Sequence, residues 1–142
     1  MSLAKALAKS ERLDRCIGRI REEYTGRERE LKDDYLLQDS VVLNLQRACE
    51  QAIDIAQILI RTTGLGRPET NGALFARLAE HGIIAGELAG RLRGLVGFRN
   101  IAVHEYEELD LRVVRAVIAT ELDALQRFAG VAVDYLARER GA

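Results

Sequence analysis

At 142 residues, with 48% hydrophobic and 30% charged side chains, the chain has the apolar material for one continuous core but not the length for two comfortable ones. A net charge of -1 excludes the chain-wide basic character of many nucleic-acid binders, so any contact with phosphates has to be local. The same balance argues against disorder, and a composition rich in Ala, Leu, Glu, Arg and Gln with a single proline, Pro68, favours long helices over strands. Lys5 and Lys9 interrupt the N-terminal segment before it reaches signal-peptide length, and no apolar run approaches the roughly 20 residues that span a bilayer. The expectation is a soluble, cytoplasmic, all-α protein with one domain over residues 1–142.

In chain order, Leu13, Ile17, Ile20 and Tyr24 form one apolar stripe, with Leu3 and Leu7 in the preceding turns, and Gly26 ends this first helix. A longer stripe begins at Leu31 and passes through Tyr35, Gln38, Val42, Leu45, Cys49, Ala52, Ala56 and Leu59. Its one polar dip, Gln38-Asp39-Ser40, reads as a kink or a fresh helix start. Thr62 to Pro68 combines two glycines with the proline and is the principal loop. Asn71 is then expected to cap a short helix carrying Leu74, Phe75 and Leu78, closed by His81-Gly82. A fourth helix is predicted from about Ile84 to Val103. Asp110 caps a fifth, whose stripe runs Leu111, Val114, Ile118, Leu122, Leu125, Ala129, Ala132 and Leu136.

The fourth helix contains a row of glycines, Gly82, Gly86, Gly90 and Gly94, followed by Gly97. Each helical glycine costs about 1 kcal/mol against alanine, so the row calls for a compensating contact, either a tight crossing inside the protomer or a surface on which another chain lies. Cys16 and Cys49 lie in helical patterns with no CxxC partner and no histidine at ligand spacing, and read as buried reduced thiols. Of the two histidines, His81 precedes a glycine at a helix end, where a capping role is ordinary.

His104 lies instead in Phe98-Arg99-Asn100-Ile101-Ala102-Val103-His104-Glu105-Tyr106, at the end of a helix. At 100° per residue Asn100 and His104 share a face, and Arg99 and Tyr106, seven apart, nearly complete two turns, whereas Arg99 and His104 sit about 140° apart. Arg99 and His104 converge only if the helix loosens before His104 or if a second chain supplies its own copy. From the residues alone, a capping and salt-bridge cluster stands beside a functional one.

The run resembles the Arg-x4-His-x-Tyr signature of the HepT-like family within the HEPN superfamily, with Arg99, His104 and Tyr106 at its positions and Asn100 fitting the polar residue after the arginine. Gln38 to Leu45 resembles the segment opening the family's long helix, and the likeness spans roughly Leu13 to Phe128. It implies a HEPN-type bundle of about five helices, forming a homodimer, that cleaves RNA without metal as the toxin of a HepT/MntA-type toxin-antitoxin system. It further implies a cognate minimal nucleotidyltransferase antitoxin that adds AMP to the motif tyrosine, here Tyr106. No cofactor is implied.

The side chains permit that chemistry. A histidine exchanges protons near neutral pH, an arginine offers a planar fork to phosphate oxygens, and Asn100 can orient either. One motif histidine per chain, where an acid and a base are both needed, points to a two-fold dimer. Two blander readings stand beside this one: a non-catalytic HEPN bundle that binds a nucleotidyltransferase or RNA, and a purely structural dimeric bundle.

Overall fold

The computed structural model describes residues 2–141; Met1 and Ala142, the ends of the expected domain, lie outside the described residues. Six α-helices follow in order, α1 (Ser2–Tyr24), α2 (Tyr35–Thr63), α3 (Asn71–Glu80), α4 (Gly86–His104), α5 (Leu111–Thr120) and α6 (Leu122–Gly141), and no strand occurs among the described residues. Short 3-10 turns at Glu28–Glu30 and Tyr106–Glu108 link α1 to α2 and α4 to α5. None of these helices is long and apolar enough to cross a membrane.

The long α2 is the central strut, packed by α1, α3, α4 and α6. Its apolar residues therefore extend round most of its circumference, with Val41, Leu45, Ala48, Ala52, Ile55, Ala56 and Leu59 all buried. Leu13, Ile17 and Ile20 bring α1 onto one side, and Leu125, Phe128, Ala132 and Leu136 bring α6 onto the same core. Phe128 meets Phe75 of α3 edge to face, ring centroids 5.2 Å apart, so the core continues through to the α3–α4 pair. A lone buried polar side chain among the described residues, Asn44, turns its amide back to Ser40 O at 2.9 Å.

Local chemistry fixes the boundaries. Asp34 caps α2 by accepting from Leu37 N, Gly64 closes it in the left-handed region at φ 70°, and Asp110 caps α5 through Arg112 N as expected. Four expectations are corrected. The Gln38-Asp39-Ser40 dip lies inside the first turns of α2, because Gln38 secures the start by donating to Leu31 O and Lys32 O. Thr70, not Asn71, caps α3, accepting from Ala73 N. The fourth helix starts at Gly86, because Gly82 sits at φ 72° just past the end of α3 and belongs to the turn. Leu7 and Tyr35, placed on apolar stripes, are exposed; Ala6 takes the core position in α1.

The expected fifth helix is two. The chain breaks step at Glu121, and Arg91 of α4 holds the junction by donating to Thr120 O and pairing with Glu121 and Asp123. Thr120 Oγ also competes for a helical carbonyl, that of Ala116. The bend lets α6 run against α1 and α2 while α5 returns from the end of α4.

Removing the Phe128 ring should leave a cavity shared by α2, α3 and α6. Phe128→Ala is expected to destabilise the protein by about 3–5 kcal/mol in urea unfolding. A loss under about 1 kcal/mol would contradict the central packing described here.

Candidate active site

Regular backbone carries α4 through the whole motif. Glu105 N–H still reaches Ile101 O at 2.8 Å, so the last turn is closed before the chain enters the Tyr106–Glu108 turn. The loosening that would let Arg99 and His104 converge within one chain does not occur. They stay about 140° apart in rotation and about 7.5 Å apart along the axis.

Arg99 lies on the side of α4 that carries Leu88, Leu92 and Leu95, facing α2. Its Nη2 donates to Glu50 Oε2 at 2.9 Å and its Nη1 to Asn100 Oδ1 at 3.2 Å, while Nε is buried without a partner. The side chain is only 22% exposed, so Glu50 both neutralises the guanidinium and fixes its plane. Arg99 borders a shallow polar concavity of about 380 Å³ lined also by Glu50, Gln51, Asp54, Gln57 and Asn71, so two carboxylates share it with the guanidinium. Of the five N–H donors of the guanidinium, Glu50 and Asn100 take two and Nε–H is buried, which leaves two Nη donors.

His104, the last residue of α4, is exposed and makes no side-chain hydrogen bond or ion pair among the described residues. It continues the opposite face of the helix, along which Gly86, Gly90, Gly94, Gly97 and Ile101 recur. A Cβ built at any of those four glycines meets no atom within 4 Å. The row therefore does not serve a tight crossing inside the protomer, and its outer surface is open.

Tyr106 departs from the helical expectation that put it beside Arg99. Because α4 ends at His104, Tyr106 swings onto the first turns of α2, where its hydroxyl donates to Asp39. It borders a different concavity, of about 560 Å³, together with Lys32, Tyr35, Gln38, Asp39 and Leu111. Partial burial, then the Asp39 bond and charge, push the phenol up to about 12, though the residue remains 41% exposed.

The structure thus joins Arg99 to Asn100, keeps His104 one turn beyond Asn100 with no bond to it, and puts Tyr106 on a separate surface. Two neighbours escape sequence reasoning. Glu50 looks like any solvated position on a long helix, and only its tertiary pairing marks it. Asp39 sits in the polar dip of α2, whose sequence signal was a kink rather than a partner. Of the two thiols expected to be buried, Cys49 is, and burial pushes it up to about 12, far from a thiolate at neutral pH; Cys16 is only partly buried, because it borders a hollow between α1 and α2, and is also raised. His81 is the C-cap of α3.

The Tyr106–Asp39 contact is open to titration. Of the four tyrosines, Tyr106 should ionise near pH 12 in ultraviolet titration, and Asp39→Asn should lower that value by removing the carboxylate that opposes the phenolate. An unchanged titration in Asp39→Asn would refute the contact.

With this geometry in view, the family model for HepT-like ribonucleases matches residues 13–132. The mRNA nuclease HepT of Shewanella oneidensis is 44% identical over 119 residues, covering 84% of this chain and 89% of its own. A crystal structure of a toxin-antitoxin pair with AMP-PNP contains a chain that superposes with a TM-score of 0.86 at 41% identity, over 90% of this chain and 96% of that one. The tri-AMPylated HEPN toxin of Shewanella oneidensis, solved in complex with its MNT antitoxin, superposes at 0.84 with 41% identity, over 89% and 95% of the two chains.

Proposed function

The chain belongs to the HepT-like ribonuclease family, and on that premise we propose that it is the toxin of a toxin-antitoxin system, an endoribonuclease neutralised by a nucleotidyltransferase partner. The observation that carries the reading is the coincidence of a family match over residues 13–132 with an intact Arg99, Asn100, His104 and Tyr106 run at the end of α4. Similarity to an mRNA nuclease and to toxins solved with their antitoxins supports both halves. The protein acts in the cytoplasm, where RNA and the partner are met.

Cleavage proceeds by attack of a ribose 2′-hydroxyl on the adjacent phosphorus. One histidine takes the hydroxyl proton, the bond from phosphorus to the 5′-oxygen breaks, and a second acid protonates that oxygen, leaving a 2′,3′-cyclic phosphate and a 5′-hydroxyl. Arg99, its plane held by Glu50 and its edge by Asn100, offers its two remaining Nη donors to the equatorial oxygens as charge builds. These steps call on proton transfer and guanidinium charge alone, so no metal is required.

One chain supplies one motif histidine where an acid and a base are both needed, so the site is completed in a two-fold homodimer. The open glycine face of α4, which leads to His104, is the surface on which the second copy lies, and it brings the two His104 side chains toward one axis. The favoured antitoxin reaction is AMP transfer to Tyr106. Its hydroxyl attacks the α-phosphorus of ATP, pyrophosphate leaves, and the phenolic proton passes to Asp39, which already accepts it in a hydrogen bond. The added phosphate and adenosine place charge and bulk beside the motif.

His104→Ala should lower cleavage of labelled RNA in excess EDTA by about 10² to 10⁴ with helix content intact, and Arg99→Lys should also fail for want of the planar fork. Equal cutting by wild type and His104→Ala would rule out this chemistry. Gly94→Leu, which has room in the protomer, is expected to split the dimer in sedimentation; an unaltered dimer would remove this face as the interface. After incubation with the nucleotidyltransferase and ATP, mass spectrometry should find AMP on the Tyr106 peptide, formed more slowly in Asp39→Asn. AMP confined to Tyr24, Tyr35 or Tyr135 would refute the assignment.

A further inference from the structure

A third concavity, of about 340 Å³, opens between α1 and α2. Arg12, Arg15 and Arg19 line it from α1, at the three and four spacing that stacks side chains on one helical flank, and Arg47 faces them from α2. Cys16 and Gln51 complete the lining, and no aspartate or glutamate contributes. All four guanidiniums are exposed, and none forms an ion pair among the described residues.

Arginines without an ion pair among the described residues also occur elsewhere on the surface, such as Arg61, Arg67 and Arg93; what sets these four apart is that they share one hollow that no carboxylate lines. Lys9, one turn earlier on α1, is paired with Asp54; Arg27, Arg91, Arg99, Arg112 and Arg127 are each held by carboxylates. Like charges gathered in one hollow repel, and an anionic ligand relieves that repulsion. The Cys16 thiol reports the field: burial raises it, while Arg47, Arg19 and Arg15 each act to lower it. Gln51 adds a geometric link, because it borders both this hollow and the one holding Arg99, and its buried Oε1 has no partner.

We infer that the groove of Arg12, Arg15, Arg19 and Arg47 binds the sugar–phosphate backbone of single-stranded RNA and leads it across Gln51 to Arg99. The inference rests on the ribonuclease reading, and it adds a binding surface outside the motif. Phosphates spaced along a strand suit several separate guanidiniums better than one small anion does, and such contacts set affinity and register without reading sequence.

The test uses full-length His104→Ala protein, so the RNA stays intact, and measures binding of a fluorescent single-stranded RNA across salt concentrations. Arg15→Gln/Arg19→Gln should flatten the slope of log K against log salt by about 1.4, at about 0.7 per phosphate, and weaken binding on the order of tenfold at 0.1 M salt. Arg15→Lys/Arg19→Lys, which keeps the charge, should restore most of the slope, an outcome that a merely structural role would not give. An unchanged slope in the Gln variant, while wild type still cuts RNA, would overturn the groove and leave the ribonuclease reading standing. Weaker capture of the nucleotidyltransferase with RNA binding unchanged would overturn it in favour of a protein-docking face. No cutting by wild type and no binding by either protein would overturn both.

Discussion

The regular backbone of α4 through His104 is the constraint on which the functional arrangement depends. Had its last turn unwound, Arg99 and His104 would have been free to meet in one chain. Instead Glu105 N–H closes on Ile101 O, and the two side chains leave the helix on different faces. In the proposed function the unit that needs two histidines, as acid and base, needs two chains, and the glycine face of α4, which ends at His104, is the surface on which they can meet.

What α4 presents, α2 tunes. This central strut is covered on most sides by α1, α3, α4 and α6, so its position is set by the whole core. It delivers two carboxylates to the motif region, Glu50 to Arg99 and Asp39 to Tyr106. The first orients a guanidinium without using up its donors. The second holds Tyr106 beside a concavity separate from the Arg99 hollow. In the proposed function, catalysis at Arg99 and its control at Tyr106 draw on one helix through two different partners.

Much of this was legible in the sequence, because it follows from local chemistry. The helical class, the caps at Asp110 and Gly82, the core stripes of α1 and α6 and the motif itself rest on periodicity and residue type. The break at Glu121 was not legible: its backbone, at φ -111° and ψ -8°, keeps close enough to helical that the apolar stripe continues in register across it. Tyr35 kept its place in the α2 stripe although its side chain is exposed, since periodicity records the face and not whether anything packs on it. Glu50 and Asp39 were invisible as site residues for a related reason. A carboxylate on an outer helical position looks the same whether it faces water or an arginine from a segment 49 residues away.

The most direct measurement mixes unmodified wild-type and His104→Ala chains, lets the dimers exchange, and follows RNA cleavage against the wild-type fraction. A cleft that draws one histidine from each chain leaves mixed dimers inactive, so activity should fall as the square of that fraction. A linear fall, with mixed dimers retaining half the activity, would mean that each chain carries a complete site of its own and would contradict the shared cleft.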